Sequence, residues 1–220
     1  MELITIEATK VVHLIQLYRP AGQLFLPAAA AKLIQRYSFS KPPSSIDDLT
    51  KEAAVFGIGL FNDIGINELA IYPDGLIVSS RADADKLVLF VEDLVNWSKA
   101  EFGFVELDIK SSKTLFESQI VVRAGFDLIS ALAPITTAGQ MMNKRLSAYP
   151  YMGEISPAAF VLDSDSTFSP TLRPSKFTLE RRIGLPYGDN IYYSTAPFRT
   201  KDHLAYLEDL ETLFRQNKKR

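Results

Sequence analysis

Residues 66–103 read INELAIYPDGLIVSSRADADKLVLFVEDLVNWSKAEFG, and this stretch decides the fold. Leu69, Ile71, Leu76, Ile77 and Val78 suit a pleated, half-buried surface and predict two short strands. Between them, Tyr72-Pro73-Asp74-Gly75 has the chemistry of a tight turn. Proline presets φ, aspartate bonds to the local backbone, and glycine accepts positive φ. Beyond the hairpin, Leu87, Phe90, Val91, Leu94, Val95 and Ser98 recur at three- and four-residue spacing, which places them on one face of a helix. Ser80, three residues before Asp83, is the candidate N-cap, while Asp83 and Asp85 suit the positive end of the helix dipole. Gly103 is a natural stop. The Ser/Asp-rich helix start reads as a cap and not as a metal or phosphate loop, because no glycine-rich phosphate pattern or calcium-loop pattern surrounds it.

The same order recurs near the C-terminus. Phe177-Thr178-Leu179-Glu180-Arg181-Arg182 alternates as a strand, residues 183–190 form a turn with Gly184, Pro186, Gly188 and Asp189, and Ile191-Tyr192-Tyr193-Ser194 returns. Thr200 is the expected N-cap of a helix from about Lys201, with Leu204, Leu207, Leu210, Leu213 and Phe214 as its apolar stripe. The two segments share topology without similarity of sequence.

Between and around these units the chain alternates apolar runs with polar connections. Residues 3–18 hold two apolar runs, the second a buried strand in which His13 reads as a core histidine with a backbone partner. Pro27 suits the first turn of a helix that continues to Tyr37. Residues 38–52 form a polar loop or linker with a short turn near 46–49, and residues 163–176 form another. In the run 53–61, Gly57 and Gly59 mark either a β-bulge, the favoured reading, or a close backbone approach. Residues 114–122 read as a strand with Phe116, Ile120 and Val122 inward and Glu117 and Gln119 outward. Leu128, Ile129 and Leu132 have helical spacing, ended or kinked by Pro134. A following helix, 135–146, carries Met141 and Met142, which read as core filling; its Lys144 and Arg145 read as a solvated end. Residues 158–162 are a further strand. Asp163-Ser164-Asp165-Ser166 resembles a calcium loop only in its first residues, lacking the glycine and terminal glutamate that such a loop needs.

The expected architecture is therefore α+β: a mainly antiparallel sheet of six to eight strands built from hairpins, with three to four amphipathic helices packed mostly on one face, in a single domain over 1–220. With 220 residues, 47% hydrophobic and 23% charged, the chain is long enough to bury a core without a staple. It has no cysteine, which removes disulfides, thiolate catalysis and cysteine-ligated metals and fits a cytoplasmic protein. The first residues are acidic, with no basic region ahead of an apolar core, so no secretory leader is expected. Uncharged apolar stretches such as 24–31 are far short of the roughly 20 residues of a membrane helix. A net charge of −2 offers no general attraction for nucleic acid, which is not an expected partner.

Two histidines, His13 and His203, limit general-base chemistry. No GxSxG elbow, HExxH or GxGxxG pattern is present. The most distinctive constellation is Glu180, Arg181, Arg182, Tyr192, Tyr193, Arg199 and His203. Arginine offers a planar fork and tyrosine a stacking face, so these residues suit a protein-contact surface. The reading is a non-catalytic interaction or assembly subunit, self-associating or bound to a protein partner, with no cofactor and no metal. The alternative is a small-molecule or nucleotide-handling enzyme with a pocket near Arg181, Tyr193, Arg199 and His203.

Overall fold

The computed structural model describes residues 1–22, 24–50, 52–106, 113–150, 154–165 and 173–217. The strands and helices run β1 (Glu2–Leu14), β2 (Leu17–Tyr18), α1 (Leu26–Tyr37), α2 (Ile46–Thr50), β3 (Ala54–Phe61), β4 (Ile64–Tyr72), β5 (Gly75–Ser80), α3 (Ala84–Phe102), β6 (Val105–Glu106), β7 (Lys113–Arg123), α4 (Ala133–Leu146), β8 (Ala159–Leu162), β9 (Phe177–Arg181), β10 (Ile191–Ala196) and α5 (Thr200–Asn217). The fold is α+β, with an eight-stranded antiparallel sheet, and β2 pairs with β6 separately. No helix among the described residues is long and apolar enough to cross a membrane.

The chain forms two compact units: residues 6–118 with 198–200, and residues 1–5, 119–197 and 201–220. The first holds β3-β4-β5, β1 from residue 6 onward and β7 as far as residue 118; the second holds the start of β1, the rest of β7, and β10-β9-β8. The chain runs twice through one order of principal elements: a strand, a helix, a three-strand meander and a closing helix. These are β1, α1, β3–β4–β5 and α3 in the first pass, and β7, α4, β8–β9–β10 and α5 in the second. The repeat expected as hairpin plus helix thus extends by two strands and a helix on its N-terminal side.

In the first unit the hairpin turns through Pro73 and Asp74, with Tyr72 opposite Gly75. A Cβ on Gly75 would come within 2.5 Å of the His13 carbonyl oxygen, so the close approach of β1 requires glycine there. Leu87, Phe90, Val91, Leu94 and Val95 of α3 pack into one core with Val11, Ile66, Leu69 and Val78 of the sheet. Tyr37 anchors the same core: its ring meets Phe90 edge to face at 5.0 Å, and its hydroxyl donates to Asp93 at 2.7 Å. The cap of α3 is Asp83, which accepts from the Asp85 amide at 2.8 Å; Ser80 instead donates to the Gly65 carbonyl and accepts from Ala82. Gly103 closes the helix at φ 71°.

Three local expectations change. The bulge lies on β4, between Ile66 and Glu68, whereas the glycines of β3 accommodate close approach. Gly57 exchanges backbone hydrogen bonds with Lys41, and Gly59 lies under the Phe39 ring. His13 Nδ1 pairs with a side chain, Thr114 Oγ1, at 2.9 Å. The segment near Leu128 is a single 3-10 turn, Ile129–Ala131, and Pro134 starts α4, where its missing amide costs nothing. Ser166 of the acidic run and the last basic residues, 218–220, lie outside the described residues; within the run, the Ser164 amide donates to Asp163 Oδ1 at 2.8 Å.

Candidate functional site

Strand alternation decides how the 177–203 residues are distributed. Phe177, Leu179 and Arg181 of β9 and Tyr192, Ser194 and Ala196 of β10 are buried, and they face α5 and the turn 127–130. Glu180 and Tyr193, opposite one another in register, project the other way. The Tyr193 hydroxyl donates to Gln119 Oε1 at 2.8 Å, and the Arg182 guanidinium sits 6.0 Å from the Tyr193 ring.

Arg181 is the hub of the buried side. It is 6% exposed, which for an arginine requires a full set of partners. Nη2 donates to both Asp127 carboxylate oxygens at 2.6 Å and to Ser130 Oγ at 3.3 Å. Nε donates to the Pro157 carbonyl at 3.1 Å and Nη1 to the Tyr187 carbonyl at 3.4 Å. The Tyr187 ring lies 4.2 Å from the guanidinium. The Tyr192 hydroxyl accepts from the Leu128 amide and donates to Asp127. Burial, with the Asp127 charge, pushes that phenol up to about 12. For Asp127, burial acts upward, but hydrogen bonds from Arg181 and Ser130 outweigh it and hold the carboxyl below its ordinary value. The guanidinium donors are thus directed at protein oxygens, and the cluster ties β9 to three connecting segments.

His203 is fully buried on α5. Its Nε2 lies 2.9 Å from Ser194 Oγ, which donates to the Thr178 carbonyl at 2.7 Å. A nucleophile must reach its substrate, and both residues of this pair are at 0% exposure. Burial lowers the imidazole to about 4. Above pH about 6.5 the ring is neutral in folded and unfolded chains alike. Below it, the unfolded chain takes up a proton that the folded chain refuses. His203 is therefore expected to cost the fold about 3 kcal/mol progressively as pH falls from about 6.5 to about 4. Urea unfolding across that window should show the loss, and His203→Gln should flatten it; equal slopes for the two chains would refute it.

Arg199 makes its contacts in the first unit, donating to Asp85 Oδ1 at 2.8 Å and lying 4.7 Å from the Phe116 ring. The seven sequence candidates thus divide among a buried arginine–tyrosine cluster, an opposite-face glutamate–tyrosine pair, a buried histidine–serine pair and an arginine of the other unit.

Reading along the sequence misses Asp127, the partner of Arg181. Its local signal is Asp127-Leu128-Ile129-Ser130, in which Asp127 accepts from both the amide and the hydroxyl of Ser130. The sequence also misreads the methionine pair. Met141 is 59% exposed and Met142 50%, so neither fills a core.

The helix that carries them, α4, shields polar residues and leaves several apolar ones exposed. Thr136, Gly139, Asn143 and Leu146 form its shielded stripe, at spacings of three and four. Asn143 exchanges two hydrogen bonds with the backbone of Ile155, at 2.8 and 2.9 Å. A Cβ on Gly139 would stand 3.3 Å from the Ile155 carbonyl oxygen. Thr136 Oγ1 donates to the Ser130 carbonyl. Ile135, Ala138, Met141 and Met142 are exposed. The polar part of the shielded stripe is pinned by hydrogen bonds, while these four apolar residues face solvent together with Thr137, Gln140, Lys144 and Arg145.

No protein-family model matches the chain, and no curated protein matches it. Among solved structures it is similar to Methanococcus jannaschii TBP, with 12% identity and a TM-score of 0.48, over 98% of this chain and 99% of that one. A likeness at that level bears on neither partner nor activity.

Proposed function

We propose that this chain is a non-catalytic, cytoplasmic interaction or assembly subunit that self-associates through the outward side of α4. One observation carries the reading: the exposed apolar residues of α4, with Met141 59% exposed, Met142 50% and Ile135 42%. Methionine is flexible and polarizable, so it adapts to a facing surface at small cost, and apolar side chains massed on one helix side mark contact sites. The turn after β9 also exposes apolar residues, Ile183 at 93%, with Leu185 and Tyr187. The Arg181 cluster then has a supporting role, fixing the Tyr187 turn and the Asp127–Ser130 turn from which α4 departs.

The alternative, a small-molecule or nucleotide-handling enzyme near Arg181, Tyr193, Arg199 and His203, has less support. The Arg181 donors bond to protein oxygens, His203 is buried, and Arg181 and Tyr193 point to opposite sides of the strands.

Light scattering tests the proposal. The wild-type chain is expected to dimerise in the micromolar range. The double variant Met141→Lys, Met142→Lys should be monomeric there, with a melting temperature unchanged because exposed substitutions cost within about 0.5 kcal/mol. A wild-type chain that stays monomeric, or a double variant that dimerises equally well, would overturn self-association through α4.

A further inference from the structure

We infer that the first unit holds a binding site for a neutral, long-chain lipid bearing a hydroxyl head group, such as a fatty alcohol. This inference is independent of the α4 surface. A cavity of about 600 Å³ lies within that unit, in the size range of ligand sites and far above the voids of a packed core. Its walls come from α1 (Ala30, Leu33), the sheet (Phe56, Leu76) and α3 (Leu94, Phe102). The sequence accounts for the space. Residues 28–31 of α1 are four consecutive alanines, and Ala29 and Ala30 both line the cavity where larger side chains would fill it. Water gains little in an apolar space that offers it few hydrogen-bond partners, which favours an apolar occupant.

The polar residues select the head group. Thr50, Glu52, Tyr72 and Ser98 line the same cavity, and no lysine, arginine or histidine does so among the described residues. A fatty carboxylate would bring its charge toward Glu52 with no lysine, arginine or histidine among the described lining residues to meet it. A hydroxyl head can donate to the Glu52 carboxylate and exchange hydrogen bonds with Tyr72 and Thr50.

The test uses the full chain and the neutral dye Nile red as reporter. Saturable fluorescence enhancement is expected, with dodecanol displacing the dye at concentrations at least about tenfold below dodecanoate. Ala30→Phe, which fills the cavity, should weaken dye binding about tenfold or more, with folding checked by circular dichroism. Glu52→Gln lies on an exposed residue and leaves packing intact, so it stays informative if Ala30→Phe unfolds the chain; it should narrow the gap between dodecanol and dodecanoate. The inference is overturned by non-saturable dye binding, by a folded Ala30→Phe variant that binds as well as wild type, by dodecanoate competing equally with dodecanol, or by a gap that Glu52→Gln leaves unchanged.

Discussion

Arg181→Ala is expected to cost about 3 kcal/mol of unfolding free energy, the lower end of the range for removing one partner of a buried ion pair. The estimate takes the lower end because Asp127 is 32% exposed and water can partly replace the arginine, whose own side chain is 4% exposed. The loss has three parts. Asp127 keeps a charge that burial opposes. The Pro157 carbonyl loses its side-chain donor, and the Tyr187 ring loses the cation it stacks on. Urea denaturation should show the midpoint falling with little change in slope. Replacing both partners, Arg181→Met with Asp127→Leu, should recover much of the loss, because no charge is then left unmatched. A loss below about 1 kcal/mol for Arg181→Ala would mean that the cluster is ornamental.

Phe90→Ala is expected to cost about 4 kcal/mol, from lost burial and the void left behind. Phe90 is fully buried, and its ring meets Tyr37 at 5.0 Å and Phe61 at 5.4 Å in edge-on geometries. Each such pair adds about 0.5–1.5 kcal/mol beyond area. Both aromatic contacts are lost together, and Tyr37 also holds Asp93 through its hydroxyl, so relaxation around the gap is restricted. Phe90→Leu should cost less than half as much, since it keeps most of the volume. Chemical denaturation of the two variants reads the difference directly; equal losses would argue that a hydrogen-bonded or backbone effect, and not the void, dominates.

Local features of the fold were legible. The Tyr72–Gly75 turn, the Leu87–Val95 stripe and the Gly103 stop depend on neighbours within a few residues, and they stand as the spacing predicts. So do the inward residues of β7, Ile120 and Val122, which are fully buried. The candidate site was less legible because its partners are remote. Asp127 lies 54 residues from Arg181, and periodicity carries no signal at that distance. The methionine pair was misread for a related reason. Helical spacing tells which residues share a face, but the neighbouring segment decides which face is covered. Here the 155–157 segment covers the side of Gly139 and Asn143. The sequence groups His203 with the candidate pocket residues; the burial that removes it comes from Phe177 and Ser194 across the sheet.

The most direct test of the interaction reading is hydrogen–deuterium exchange on the full chain at rising protein concentration. Protection should rise with concentration in residues 133–146 and in the 183–187 turn, and Met141→Lys with Met142→Lys should abolish the increase. Exchange in those residues that does not change with concentration, or concentration-dependent protection confined to other segments, would contradict it.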